Sequence, residues 1–225
     1  MKDQETGQGE AEARGQVEKE AINALPPASL AASQWRLFCA VELTEEIRAR
    51  AAEHIAQLRL KLPHVRAGWE RAEKLHITLK FFGNVEASRT QALTLAAERA
   101  AQASAPFALN IAEAGAFPLR GQPRVLWLGV SDSSGGLARL QQSLEDECAA
   151  ENFRREERPF HPHITIARLR QPAGTRQLAA LHKEMGFEAM ELTVREIVLM
   201  RSELGPKGSR YIGLSRHGLR SEPQP

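Results

Sequence analysis

Leu75-His76-Ile77-Thr78-Leu79-Lys80-Phe81-Phe82-Gly83 is echoed 87 residues later by Pro162-His163-Ile164-Thr165-Ile166-Ala167-Arg168. Each copy sets a His and a Thr two residues apart inside an apolar, β-branched run. A strand alternates its side chains with a period of two, so His and Thr share one face while Leu or Ile points to the other. With seven His and eight Thr in the chain, about 0.25 His-x-Thr matches are expected by chance. Two copies point to a site, although two core histidines bonded by neighbouring threonines fit the same pattern.

Outward from these strands, the chain alternates strand and helix. Arg36 to Val41 reads as a first strand, and Thr44 followed by Glu45 and Glu46 marks a helix start. Ile47, Ala51, Ile55, Leu58 and Leu62 recur at spacings of 4, 4, 3 and 4, one apolar stripe on a helix that ends before Pro63. A short strand near Val65 to Trp69 precedes the first His/Thr strand. Ser88-x-x-Gln91 is a capping-box pattern for a second helix running to about Ala103.

Phe107 to Ile111 and Val125 to Val130 read as strands. Leu137, Leu140, Leu144 and Cys148 mark a third helix, and Phe160 to Leu169 holds the second His/Thr strand. Thr175 to Met185 predicts a fourth helix, with closing strands at Met190 to Arg201 and Tyr211 to Leu214. Strand-helix-strand units repeated around two equivalent strands predict an α+β fold of two lobes, with pseudo-twofold related antiparallel sheets flanked by helices and a cleft between them.

Composition bounds the rest. The 225 residues, 42% of them hydrophobic, suffice for one larger domain or two small lobes sharing a core. Residues 1–33 hold six acids and three bases and no aromatic residue, net −3 in a chain of net +2, which leaves +5 on the remainder. That segment reads as a disordered or loosely helical extension, residues 34–215 as the working domain, and residues 216–225 as a flexible tail. A mildly basic body suits an anionic ligand. Cys39 and Cys148 read as buried reduced thiols. The absence of a membrane-length apolar run and of a signal-peptide pattern predicts a cytoplasmic protein that is not membrane-bound.

The residues that carry a resemblance are Arg36-Leu37-Phe38, the two His/Thr stretches, Pro123-Arg124-Val125-Leu126-Trp127-Leu128-Gly129, Phe160-His161 before the second stretch, and Arg201-Ser202-Glu203-Leu204-Gly205. In these the chain resembles the two-histidine phosphoesterase superfamily, and specifically the RNA 2′,3′-cyclic phosphodiesterases, historically called 2′-5′ RNA ligases. The likeness spans about Trp35 to Leu214. Two departures stand outside the motifs: the extension before Trp35, and Ala72-Glu73-Lys74 where Pro-Glu-Asn is common.

Opening a cyclic phosphodiester requires that water lose a proton while the departing ribose oxygen gains one. Two imidazoles near neutrality can hold opposite protonation states and do both without a metal. Sequence geometry does not say which is which; the resemblance implies that His76 is the proton donor and His163 the proton acceptor, with Thr78 and Thr165 binding phosphate. It also implies a 2′-phosphomonoester product, reverse joining of such an end to RNA, no cofactor, and RNA ends or cyclic nucleotides as partners of a monomer.

Other polar residues carry weaker expectations. Strict alternation sets Arg168 opposite His163, so a direct phosphate role needs a bulge or a strand end. Lys80 shares the parity of His76 and Thr78 and belongs either to the cleft or to solvent. His161 and His163 form a His-x-His pair that would suit a metal hydrolase, but no carboxylate-rich set accompanies it. Arg154, Arg155 and Arg158, Arg120 and Arg124, and Lys207 and Arg210 form a basic rim suited to RNA or are simply solvated. Trp69, Phe82, Phe117 and Trp127 are stacking candidates that equally suit a core, and His54, His64, His182 and His217 read as partnerless helix or surface positions. A non-catalytic RNA or nucleotide-binding module on the same fold is the alternative reading.

Overall fold

The computed structural model describes residues 33–205 and 208–220; residues 1–32 of the predicted N-terminal extension, residues 221–225 of the predicted tail, and Lys207 lie outside the described residues. Strand β1 (Gln34–Glu42) leads through Thr44 into helix α1 (Glu45–Lys61), and the Ile47 amide donates to Thr44 Oγ1 at 3.4 Å. Strand β2 (Gly68–Trp69) and a 3-10 turn (Ala72–Lys74) precede β3 (His76–Glu86). Helix α2 (Thr90–Gln102) begins from a second 3-10 turn with no side-chain cap, so the capping box predicted at Ser88 does not form.

Next come β4 (Phe107–Phe117), β5 (Val125–Ser131), α3 (Gly136–Ala150), β6 (His163–Arg168) and α4 (Thr175–Met185). The closing run breaks at Arg195 into β7 (Met190–Val194) and β8 (Glu196–Gly205), followed by β9 (Gly208–Gly218). The predicted tail therefore starts too early. Residues 216–218 belong to β9, and Leu219 is buried with its amide donating to the Arg195 carbonyl.

The two expected sheets are one. Its order is β7-β4-β5-β6-β3-β1-β8-β9, with β2 also beside β6. Two four-stranded antiparallel halves meet where the His/Thr strands pair at a single position, Ile77 with Ile164. Beyond it β3 and β6 splay, and β2 fills the edge of β6 at Gly68 and Trp69. Pairing at this seam satisfies backbone groups that two free edges would leave exposed.

One sheet face holds the core. Leu37, Cys39 and Val41 of β1, Ile77 and Leu79 of β3, and Ile164 and Ile166 of β6 join the apolar stripes of the helices in one cluster. Two of the four helices cross between the halves. Helix α1, which links β1 to β3, packs against α4 over the other half, where α4 lies on β4; α3, which links β5 to β6, packs against α2 and β3. No helix among the described residues is long and apolar enough to cross a membrane.

Two polar pairs are sealed into this face. His54 of α1 and His182 of α4, read from sequence as partnerless, are buried: His54 Nε2 lies 2.9 Å from His182 Nδ1, and His182 Nε2 lies 3.0 Å from the Trp127 carbonyl. That carbonyl can only accept, so His182 donates to it and receives a hydrogen from His54. Burial pushes the His54 imidazole down to about 4. His217 is also buried and bonds Ser215 Oγ. Lys80 is buried behind the sheet, 2.6 Å from Glu145 Oε2 of α3 and 2.9 Å from the Arg154 carbonyl.

Candidate active site

Lys80 lies on the core side because both His/Thr strands carry the same irregularity. Along β1 and β3, Thr78 pairs with Ala40 but Lys80 pairs with Cys39, which leaves Leu79 as the extra residue of a bulge. Along β5 and β6, Thr165 pairs with Trp127 but Ala167 pairs with Leu126, which leaves Ile166 extra. Each bulge puts two consecutive residues on the core side and shifts alternation by one. Lys80 and Ala167 turn inward, while Phe81 and Arg168 turn toward the face that carries the histidines. The parity rule that separated Arg168 from His163 fails for this reason.

His76, Thr78 and Phe81 from one half and His163, Thr165 and Arg168 from the other line a single cleft of about 580 Å³. The Nδ1 of His76 lies 2.6 Å from the Lys74 carbonyl, and the Nδ1 of His163 lies 2.7 Å from the His161 carbonyl. A carbonyl only accepts, so each Nδ1 carries a hydrogen and each Nε2 is the nitrogen left for chemistry. Thr78 Oγ1 sits 3.0 Å from His76 Nε2 and donates to it when the ring is neutral.

Both imidazoles are held below the ordinary histidine value, chiefly because burial disfavours the cation. The Arg168 guanidinium pushes each further down, against the pull of the two carbonyls. Arg168 is 3.5 Å from Glu70, and Arg36, Lys74 and Arg170 add positive charge to the same cleft. One cluster of the predicted basic rim is neutralised locally: Arg154 pairs with Glu157, Arg155 with Asp146 and Arg158 with Glu156, at 2.6 to 2.7 Å.

The His76 half presents an aromatic wall that sequence parity missed. Phe38 packs against the His76 ring with centroids 4.9 Å apart, Tyr211 meets it edge-on at 5.4 Å, and Phe81 stacks on Phe38 at 6.3 Å. Phe81 is 46% exposed, and the Arg36 guanidinium lies 4.9 Å from its ring centre. Of the predicted stacking residues, Trp69 lines this cleft, Phe82 packs on Phe153 behind it, and Phe117 and Trp127 lie beyond His163. His161 is exposed and serves through its carbonyl. Among the described residues no three His, Cys, Asp or Glu side chains converge as a metal-binding group.

A cleft lined by two histidines, two threonines and an arginine suits a phosphate ester, and similarity to known proteins agrees. Residues 45–206 match the family model described as the 2′-5′ RNA ligase superfamily. The chain is 35% identical over 179 residues, 78% of this chain and 94% of the other, to an RNA 2′,3′-cyclic phosphodiesterase of Methanothermobacter thermautotrophicus. It is 36% identical over 185 residues, 82% of this chain and 96% of the other, to one of Escherichia coli.

The crystal structure of TT0787 from Thermus thermophilus superposes with a TM-score of 0.69 at 31% identity, covering 83% of this chain and 99% of that one. E. coli LigT complexed with 3′-AMP superposes with a TM-score of 0.65 at 32% identity, covering 84% of this chain and all of that one. The family match spans most of the chain and includes both His/Thr strands: the chain belongs to the 2′-5′ RNA ligase superfamily.

Proposed function

We propose that the protein hydrolyses RNA 2′,3′-cyclic phosphodiester ends to 2′-phosphomonoesters by paired histidine acid/base catalysis. The observation that carries this reading is that His76 and His163 line one cleft, each with Nδ1 committed to a carbonyl, which leaves Nε2 as the nitrogen for proton transfer. Neutral Nε2 of His163 takes a proton from water as its oxygen bonds to phosphorus. The P–O3′ bond breaks, and O3′ takes a proton from the protonated Nε2 of His76. Thr78, Thr165 and Arg168 hold the non-bridging oxygens, where negative charge builds.

The direction of proton flow is supported by the cluster of three aromatic rings about His76. Phe38, Phe81 and Tyr211 all lie on the His76 half. A base stacked there brings its ribose, and with it the departing O3′, beside His76. Water then arrives in line from the side of His163. The names of the relatives support the substrate class. An alcohol in place of water would join two ends through a 2′-5′ bond by the same steps. The buried, unpaired Cys39 and Cys148 fit a reducing compartment, and we place the enzyme in the cytoplasm as a monomer.

The test is product analysis of a cyclic-phosphate oligonucleotide with and without EDTA. The expected product is a 2′-phosphomonoester, formed at the same rate in both. A 3′-phosphomonoester would reverse the assignment of the leaving oxygen, and binding without turnover would favour a nucleotide-binding module.

The pH dependence provides a second test. Because both imidazoles are held low, kcat/KM should follow a bell centred on the acid side of the ordinary histidine value, about 6.5. The Arg168 cation disfavours each imidazolium, so its removal raises both values. Arg168→Gln should therefore move both limbs of the bell to higher pH while raising KM. Limbs that stay in place would remove Arg168 from the electrostatics of the cleft.

A further inference from the structure

A second cavity, of about 350 Å³, opens beside His163, which is the residue common to its lining and that of the cleft. Its walls come wholly from the second half: β4 with Leu119 beyond it, β5, and the approach to β6 at His161 and Pro162. Its size falls within the range of about 300–1,000 Å³ usual for small-molecule sites.

The floor is aromatic and shaped by glycine. Trp127 lies across Gly115, its cross-strand partner, so closely that a Cβ there would fall 2.1 Å from the indole Cζ2. The indole thus lies along the sheet as a platform. Phe117 leans against it with centroids 5.2 Å apart and meets the His163 ring edge-on at 5.2 Å. Glu113 bulges out of β4 with φ 66 and joins the wall, a conformation that a non-glycine residue adopts at an energetic cost. Leu119, 83% exposed, stands at the mouth.

We propose that this cavity is a second nucleoside subsite, which holds a nucleoside whose free 5′-hydroxyl attacks the cyclic phosphate in place of water. The inference rests on the proposed role of His163 as proton acceptor. An in-line nucleophile must reach phosphorus from the side of the base, and the base is the residue the two cavities share. In the step, the 5′-oxygen bonds to phosphorus and gives its proton to His163 Nε2. The P–O3′ bond breaks, and O3′ takes a proton from His76. The product is a 2′-5′ phosphodiester with a free 3′-hydroxyl, and no other reactant is consumed. Trp127 and Phe117 would stack on the base of the incoming nucleoside, a sequence-tolerant contact.

The test is the partition between joining and hydrolysis when the full-length protein acts on uridine 2′,3′-cyclic phosphate in the presence of 2′,3′-dideoxyadenosine, whose only hydroxyl is at the 5′ position. Joined product should saturate with dideoxyadenosine. Trp127→Ala and Leu119→Glu should each lower the ratio of joined to hydrolysed product by about tenfold at sub-saturating acceptor. This ratio does not depend on how much of a variant folds, and Leu119 is too exposed for its replacement to threaten the core.

An unsaturable linear rise of joined product, or a ratio unmoved by both variants, would overturn the subsite. So would loss of a preference for oligonucleotide over mononucleotide donors at unchanged ratio, which would assign the cavity to the donor strand. A wild type that hydrolyses nothing would overturn the reading of the catalytic cleft on which the inference rests, a result distinct from those three.

Discussion

His76→Ala and His163→Ala are each expected to lower hydrolysis of a 2′,3′-cyclic nucleotide by about 10²–10⁴-fold, the usual contribution of a positioned acid or base. The loss should appear in kcat. Each ring is oriented by one Nδ1 bond to a backbone carbonyl two residues earlier, from Lys74 or His161. Removing the ring therefore deletes the proton-transfer group without disturbing the strand that carries it. Both side chains stand on the cleft face, away from the main core, so thermal unfolding should change little. Retention of more than about 10% of wild-type rate by either variant would end the acid/base assignment, because a group supplying 10²-fold or more cannot leave so much behind.

Lys80→Ala is expected to cost about 3–5 kcal/mol of stability. Its ammonium is 2.6 Å from the buried Glu145 carboxylate and 2.9 Å from the Arg154 carbonyl. Glu145 also accepts from the Glu156 amide at 3.2 Å and from Gln141 at 3.3 Å. Truncating Lys80 leaves a carboxylate sealed in the core without its counter-charge and loosens the approach to His163. Replacing both partners with apolar groups should recover much of the loss, since removing a buried ion pair together avoids the orphaned charge. Denaturant unfolding of Lys80→Ala and of the Lys80→Met/Glu145→Leu double variant measures both values. Equal loss in the two would show that the cost comes from packing rather than charge.

Much of this was legible in the residues, and the failures share a cause. The period-two pattern placed His76 with Thr78 and His163 with Thr165, and Thr44 marked a real helix start. What alternation cannot encode is a bulge. One extra residue after each Thr reassigned Lys80 to the core and brought Phe81 and Arg168 into the cleft. Tyr211 reaches His76 through the pairing of β9 with β8 and of β8 with β1, a tertiary relation with no local signature. The buried bond between His54 and His182 was hidden for the same reason, since it depends on the exchange of helices between halves. Their sequence positions looked like ordinary helix surface.

That exchange also bears on how the molecule comes into being. Each half-sheet is roofed by a helix borrowed from the other, and β1 pairs with β8, Arg36 opposite Ser202, near opposite ends of the domain. Such long-range pairings are slow to close. During synthesis the first strand must wait for almost the whole domain before its second edge is covered, and Tyr211 of the aromatic wall emerges after both histidines. Neither half is a ready-made folding unit, and catalytic competence arrives only with the last strands of the chain.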